Sequence, residues 1–278
     1  MKYTKEFVID TIEKTVTNKI EAAHDEFGHH YKFVDTGEIV DSVTTRNCTE
    51  KPHLIPWAID LAIDYLLEDN KFEVLSKEID KKESVIRKQA KLQYTDVRDN
   101  AGSLGTRAHN IIEEYEKSWI LDGYPVQDIR VLIPEAETDS RVWGAVRSAE
   151  AGFKKYKVIP VAAEILVGIP KYGAGTLDLL VLNPDGELEL WDHKTSNMVN
   201  DFYANQTAAY KAMFEHMTGL QIARIRILKL DKYSDKFKMY DVPDPDSAWE
   251  SFKAISHYYD WMNNRQSKLL EDKFIINL

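Results

Sequence analysis

The chain has 278 residues, of which 44% are hydrophobic and 29% charged, with a formal net charge of −10. That is enough chain for one large domain, or for a core with an added lobe, and the composition is that of an ordinary globular protein. No apolar run approaches the roughly 18 residues that span a bilayer, the acidic balance speaks against a passive nucleic-acid coat, and a single cysteine, Cys48, excludes internal disulfides and Cys-rich metal clusters.

The N-terminus mixes charged and apolar residues and lacks a signal-peptide core, so residence inside the cell is expected. Apolar residues at helical spacing (Ile9, Ile12, Val16, Ile20) predict a first helix over 2–23. A hairpin follows, turning at Asp35-Thr36-Gly37. Pro56 opens a helix through Leu67 with Trp57, Leu61, Tyr65 and Leu66 on its apolar side, and the Lys/Glu-dense stretch 68–95 reads as one or two surface helices. Further helices are expected from about Leu104 to Leu121, carrying His109, Ile112, Tyr115, Glu116 and Trp119 on one side, and near 140–155.

The chain then turns to strands. Val158–Gly168, with Pro160 suited to an edge, is followed by Gly175–Leu182 and Glu187–Thr195, with a turn at Asn183-Pro184-Asp185-Gly186. A helix from Asp201, a plausible N-cap, to Gly219 comes next, then strands at Ile222–Leu230 and Phe237–Val242, and a helix from Ser247 to Glu271. The order implies an α/β protein with a mixed sheet flanked by helices. The expected division is a mainly helical lobe with a short hairpin over 1–100 and a core over 101–278.

The chemistry concentrates in GAGTLDLLVLNPDGELELWDHKTS. Side chains alternate along a strand, so Asp192 and Lys194 share a face and His193 points away. If Leu182 pairs with Leu188 across the five-residue loop, the same register sets Asp178 directly opposite Asp192, with Cβ atoms about 5 Å apart. Two aspartates that close repel each other unless a cation lies between them. A hard divalent ion, Mg²⁺ or Mn²⁺, suits them, and Lys194 beside it could orient or deprotonate a water or stabilise phosphate charge. For an Asp-x-Lys triplet alone, a plain ion pair on a strand is the commoner use.

Three other groups bear on that choice. In Gly105-Thr106-Arg107-Ala108-His109 a neutral imidazole could give the metal a nitrogen ligand, and Glu113 one turn later either orients His109 or is a solvated residue. Gln206 and Tyr210, four apart on a helix, either pack in the core or face a nucleic acid beside the metal. Glu164, an acid in an apolar strand, is either a salt-bridge partner or a group behind the metal ligands.

Taken together these residues resemble the RecB-type branch of the PD-(D/E)xK nuclease superfamily. Its GTxxHxxxE motif falls on Gly105-Thr106, His109 and Glu113, its GxxD on Gly175 and Asp178, its (D/E)xK on Asp192 and Lys194, and its QxxxY on Gln206 and Tyr210. Upstream, His30-Tyr31, Gly37 and Ser42-Val43-Thr44-Thr45 look, more loosely, like the mitochondrial genome maintenance exonuclease group and related phage exonucleases. The resemblance implies a restriction-endonuclease-like core and a metal-dependent DNA exonuclease. It implies one or two Mg²⁺ or Mn²⁺ ions held by His109, Asp178, Asp192 and the His193 backbone carbonyl, with Lys194 catalytic and no iron–sulfur cluster. The expected partner is DNA, single-stranded or with free ends, in replication, recombination or repair; no membrane partner is expected. Arg107, Lys154, Lys155, Lys157, Arg224 and Arg226 are candidate backbone-phosphate contacts, and Tyr31 and Trp57 candidate stacking residues. The competing readings are a structure-selective endonuclease, a non-catalytic nucleic-acid-binding module of the same fold, and a metal-dependent hydrolase of a small substrate.

Overall fold

The computed structural model describes residues 1–25, 28–47, 54–67 and 79–263. Two compact units are formed: Met1–Thr49 together with Ile111–Leu278, and Glu50–Asn110. The first 49 residues thus fold with the sheet unit, whereas the sequence suggested that they belong to the helical lobe. The second unit holds α2 of the lobe proper, Leu54–Leu67, and the first part of a 44-residue helix, α3, Ile79–Asp122. The helix expected from Leu104 is therefore the C-terminal part of a longer one, and Gly105 lies inside it rather than near its start. A helical glycine costs only about 1 kcal/mol, which the good helix formers around it absorb. Residues 68–78, Cys48 and the side chain of Trp57 fall outside the described residues.

In the first unit α1 spans Lys5–Thr15, capped by Thr4, whose hydroxyl accepts the Phe7 N–H. The sequence predicts this helix as far as residue 23, but Asn18 turns left-handed (φ 61) and the chain continues as β1, Ile20–Asp25. The helical spacing of Ile20 was misleading because its burial comes from sheet pairing: Ile20 faces Phe33 of β2, Gly28–Phe33. The hairpin expected at Asp35-Thr36-Gly37 forms, with Gly37 at φ 71 where a side chain would be strained, and β3, Ile39–Asp41, completes a three-stranded antiparallel sheet. A single helical turn, Val43–Arg46, follows, capped by Ser42.

The second sheet carries the order β4-β5-β6-β7-β8, with strands Ile159–Ile169, Gly173–Leu182, Leu188–Lys194, Arg224–Leu230 and Phe237–Asp241. Neighbours are antiparallel except β6 and β7, whose parallel pairing requires a crossover, supplied by α5, Asp201–Thr218. Its N-cap is Asn200 rather than Asp201, and Gly219 closes it in the left-handed region (φ 73). Pro160 sits on β4, an edge strand, where a missing N–H is harmless. Alternating residues of β6 build two faces. Leu188 and Leu190 join Met213 and Phe214 of α5, Val8 and Ile12 of α1, and Phe252 in one core. Trp191 on the opposite face stacks on Phe153 of α4, Ser140–Tyr156, which stacks in turn on Tyr115 of α3. The mixed α/β architecture read from the element order is therefore present, with helices on both faces.

The last described helix, α6, Pro245–Asn263, is tied down by Arg46. This buried guanidinium donates two bonds of 2.6 Å to Asp260 and one of 2.8 Å to Ser256 Oγ. Truncation would strand a buried serine and a half-exposed carboxylate, so Arg46→Ala is expected to lower stability by about 2–4 kcal/mol in urea unfolding.

Candidate active site

The loop register decides the position of the acids. Leu182 pairs with Leu188, Leu180 with Leu190 and Leu179 with Trp191. One step further along the same register, Asp178 stands opposite Asp192. The ladder ends there because the Asp178 carboxylate replaces a backbone partner: His193 N–H donates to Asp178 Oδ2 at 2.8 Å. On the other side of β5, the pairs Ala163–Leu179 and Ile165–Leu177 leave Glu164 opposite Asp178. Glu164 has φ 51, a left-handed conformation that breaks strand alternation and re-aims its side chain. Three carboxylates thus stand in register on three adjacent strands.

The electrostatics are those of a crowded anionic site. Burial, followed by repulsion from Asp178, drives the Asp192 carboxyl up to about 7 against the opposing pull of Lys194. Burial and then Asp178 raise Glu164 to about 8, with Glu113 adding to the repulsion. Glu116 on α3 is fully buried and lies well above the usual carboxylate range, through burial and then the charges of Asp178, Glu164 and Glu113. Against these five acids stand Lys117, ion-paired with Glu113 on the helix surface, and Lys194. Lys194 Nζ lies 2.5 Å from Asp192 Oδ2 and 5.0 Å from the Tyr203 ring centre. Burial lowers its pKa, but Asp192 and Asp178 outweigh burial and the net movement is upward, so this lysine is a cation in the metal-free state. The ammonium takes up Asp192 Oδ2, while Oδ1 of the same buried carboxyl has no hydrogen-bond donor. An orphaned buried carboxylate is expensive unless a cation completes it. Among the described residues no three His, Cys, Asp or Glu side chains form a ready-made cage. Lys194 and the His193 N–H already take up one oxygen each of the two aspartates.

The other expected site residues divide into groups. The His193 imidazole points to the opposite face, 3.5 Å from Glu116 and edge-on to Phe153, as the strand parity requires. Gln206 and Tyr210 share a helix face and a hydrogen bond of 3.0 Å, but both are buried. Burial raises the Tyr210 hydroxyl, and Asp192 and Asp178 feel its approach. These two residues set the floor of the site rather than a surface for a ligand. Gly175 belongs with them, because a Cβ there would lie 2.7 Å from the Tyr210 ring. Gly175→Ala is expected to lower stability by about 1–3 kcal/mol through overpacking, read as a drop in melting temperature. His109 and Arg107 belong to the second unit; along α3, His109 comes one helical turn before Glu113.

Several basic and aromatic candidates have structural duties. Arg226 is partly buried between Glu189 at 3.3 Å and Asp241 at 3.2 Å and lies over Tyr156, so it ties β6, β7 and β8 together. Lys154 pairs with Glu150, Lys155 rests on Phe237, and Lys157 closes α4 at φ 51. Tyr31 is core. Sequence reasoning gave no chemical part to Glu116 or Lys117. Their spacing from Glu113 on one helix was the available signal. A groove of about 430 Å³ between α1, α3 and β4, lined by Ile9, Val16, Ile120 and Leu121, has Glu164 and Lys117 in its wall. Among the described residues no helix is long and apolar enough to cross a membrane. No protein-family model matches the sequence, and no curated protein matches it either.

Proposed function

We propose that the protein is a divalent-metal-dependent deoxyribonuclease of the restriction-endonuclease-like fold, acting as an exonuclease on DNA that is single-stranded or has free ends. The carrying observation is the opposition of Asp178 and Asp192 on neighbouring strands, with the buried Asp192 Oδ1 undonated and Lys194 against Oδ2. An isolated structural ion pair has no need of a second and third carboxylate, and here burial and then repulsion from Asp178 hold Asp192 at about 7 and Glu164 at about 8.

Asp178 and Asp192 would hold the ion, and the resemblance adds His109 and the His193 carbonyl as further ligands, with His109→Ala as the test of the imidazole. The ion, Mg²⁺ or Mn²⁺, would supply charge neutralisation at the phosphodiester and acidify a water. Lys194, charged and fixed against Asp192 and Tyr203, orients the attacked phosphate and offsets the charge that builds on it. The His193 N–H fixes Asp178 on its strand, opposite Asp192. Glu164, opposite Asp178 on the edge strand, adds a third carboxylate to the anionic side of the site.

The test is release of nucleotides from end-labelled linear single-stranded DNA in Mn²⁺ or Mg²⁺, alongside closed circular single-stranded DNA. Cleavage of the linear strand only, abolished by EDTA, is the expected result. Cutting of the circle would replace the exonuclease with an endonuclease. DNA binding without any cleavage would leave a non-catalytic module of the same fold.

A further inference from the structure

A second recess, of about 280 Å³, opens where β6 leaves the sheet and β7 turns into β8. Its wall carries Ser196 and Asn197 from the segment after Lys194 and four lysines, Lys229, Lys232, Lys236 and Lys238. In a chain of net charge −10, four ammonium groups around one cavity are a local reversal of sign. Among the described residues none of the four forms an ion pair with a carboxylate. Two of them turn to neutral oxygens of the same residue: Lys229 donates to the Asn197 carbonyl, and Lys232 to Asn197 Oδ1 at 2.8 Å. Asp231, the one acid in the wall, has its Oδ1 engaged by the Tyr233 N–H at 2.7 Å. Arg141 stands near enough to add its charge to that of Lys229. Burial and then these two cations pull the Lys232 pKa down, and Asp231 offsets only part of that.

The recess is also built rigidly. A Cβ on Gly144 of α4 would lie 2.1 Å from the Lys232 carbonyl oxygen, so the helix backbone presses directly on the lysine-bearing turn. Ser148 Oγ accepts the Asp231 N–H at 2.9 Å and donates to the Lys236 carbonyl. Parallel pairing puts Lys229 beside Lys194 in register, one strand spacing of about 5 Å away. A nucleic-acid strand held at Lys194 therefore passes the mouth of this recess.

We infer that the lysine recess is a backbone-phosphate subsite, which grips a non-scissile phosphate of the DNA strand whose neighbouring bond lies at Asp178, Asp192 and Lys194. This rests on the nuclease reading and adds where the substrate is held. Lysines act as point charges on phosphate and carry no base information, so the grip is independent of sequence and strongly dependent on salt.

The test measures binding of a fluorescent single-stranded 20-mer in EDTA, from 50 to 200 mM KCl, by the full chain. Two double variants are compared, Lys229→Gln with Lys232→Gln, and the more exposed Lys236→Gln with Lys238→Gln, with Lys2→Gln plus Lys14→Gln as a remote control. At 50 mM KCl each recess variant is expected to lose affinity by about tenfold. The slope of log Kd against log salt is expected to fall by about 0.7 for each phosphate contact removed. The exposed pair keeps the test open should the inner pair fail to fold. Unchanged affinity and slope in a folded recess variant would overturn the subsite while leaving the nuclease standing. An equal loss in the remote control would overturn it too, by showing a diffuse charge effect. Full displacement of the oligonucleotide by low-millimolar inorganic phosphate would mark a free-phosphate site instead. Absence of any binding by the unaltered chain in EDTA would overturn the subsite, whereas only failure to cleave in Mn²⁺ or Mg²⁺ would bring down the nuclease reading.

Discussion

Lys194→Ala is expected to reduce DNA hydrolysis by at least about 10²–10⁴-fold, the range for loss of one positioned electrostatic or proton-transferring group. DNA binding in EDTA should stay within a few-fold of the unaltered chain, because Lys194 is one cation among several near the strand's path. The variant has a second signature. Without the ammonium, 2.5 Å from Asp192 Oδ2, the buried Asp192 loses its nearest counter-charge, and its carboxyl should titrate even higher than about 7. Lys194→Arg restores the charge but not a compact point donor, and it should recover stability without recovering the rate. Single-turnover cleavage of end-labelled DNA, with melting temperature as a fold check, separates these effects. Wild-type cleavage in a folded Lys194→Ala protein would remove the lysine from the mechanism.

The second large effect is a stability that depends on both pH and metal. In the metal-free protein Asp192 sits at about 7 and Glu164 at about 8, each well above its ordinary value. The folded chain therefore keeps two protons that the unfolded chain gives up near pH 4, and stability is fully present only below that point. It declines as pH rises and is lost through about 7 for Asp192 and about 8 for Glu164, by an amount on the order of a few kcal/mol. A divalent cation replaces those protons. The rise in melting temperature on adding Mn²⁺ should thus be larger at pH 8 than at pH 5.5, where protons compete for the same oxygens. Asp192→Asn should flatten the metal-free pH profile and remove most of the Mn²⁺ response. A melting temperature that is level from pH 5 to 8.5 and indifferent to Mn²⁺ would refute the carboxylate-centred metal site.

Both predictions draw on residues that were legible early. The pairing of Leu182 with Leu188 follows from a five-residue loop, and strand alternation then separates Asp192 and Lys194 from His193 without further information. The Gln206–Tyr210 contact follows from helical spacing, although their burial does not, since the same spacing serves a wet face or a dry one. The reading failed where one residue type had two local uses. Ile20 fitted a helical repeat and a strand equally well, and Arg226 fitted a phosphate contact until Glu189 and Asp241 were found on either side of it.

The sequence by itself determined the strands and helices from Val158 onward, the register of β5 against β6, and the face shared by Asp192 and Lys194. These follow from alternation, loop length and capping, which operate within a few residues along the chain. Only the tertiary structure decided that Glu164 is turned toward Asp178 from the edge strand and that Glu116 is buried beside it. It alone decided that Gly175 makes room for Tyr210 and that Ser196 and Asn197 close a recess with the four lysines of the β7–β8 hairpin. Each of those depends on segments distant in sequence coming to within a few ångströms, and their charges and contacts add up only after the chain has folded.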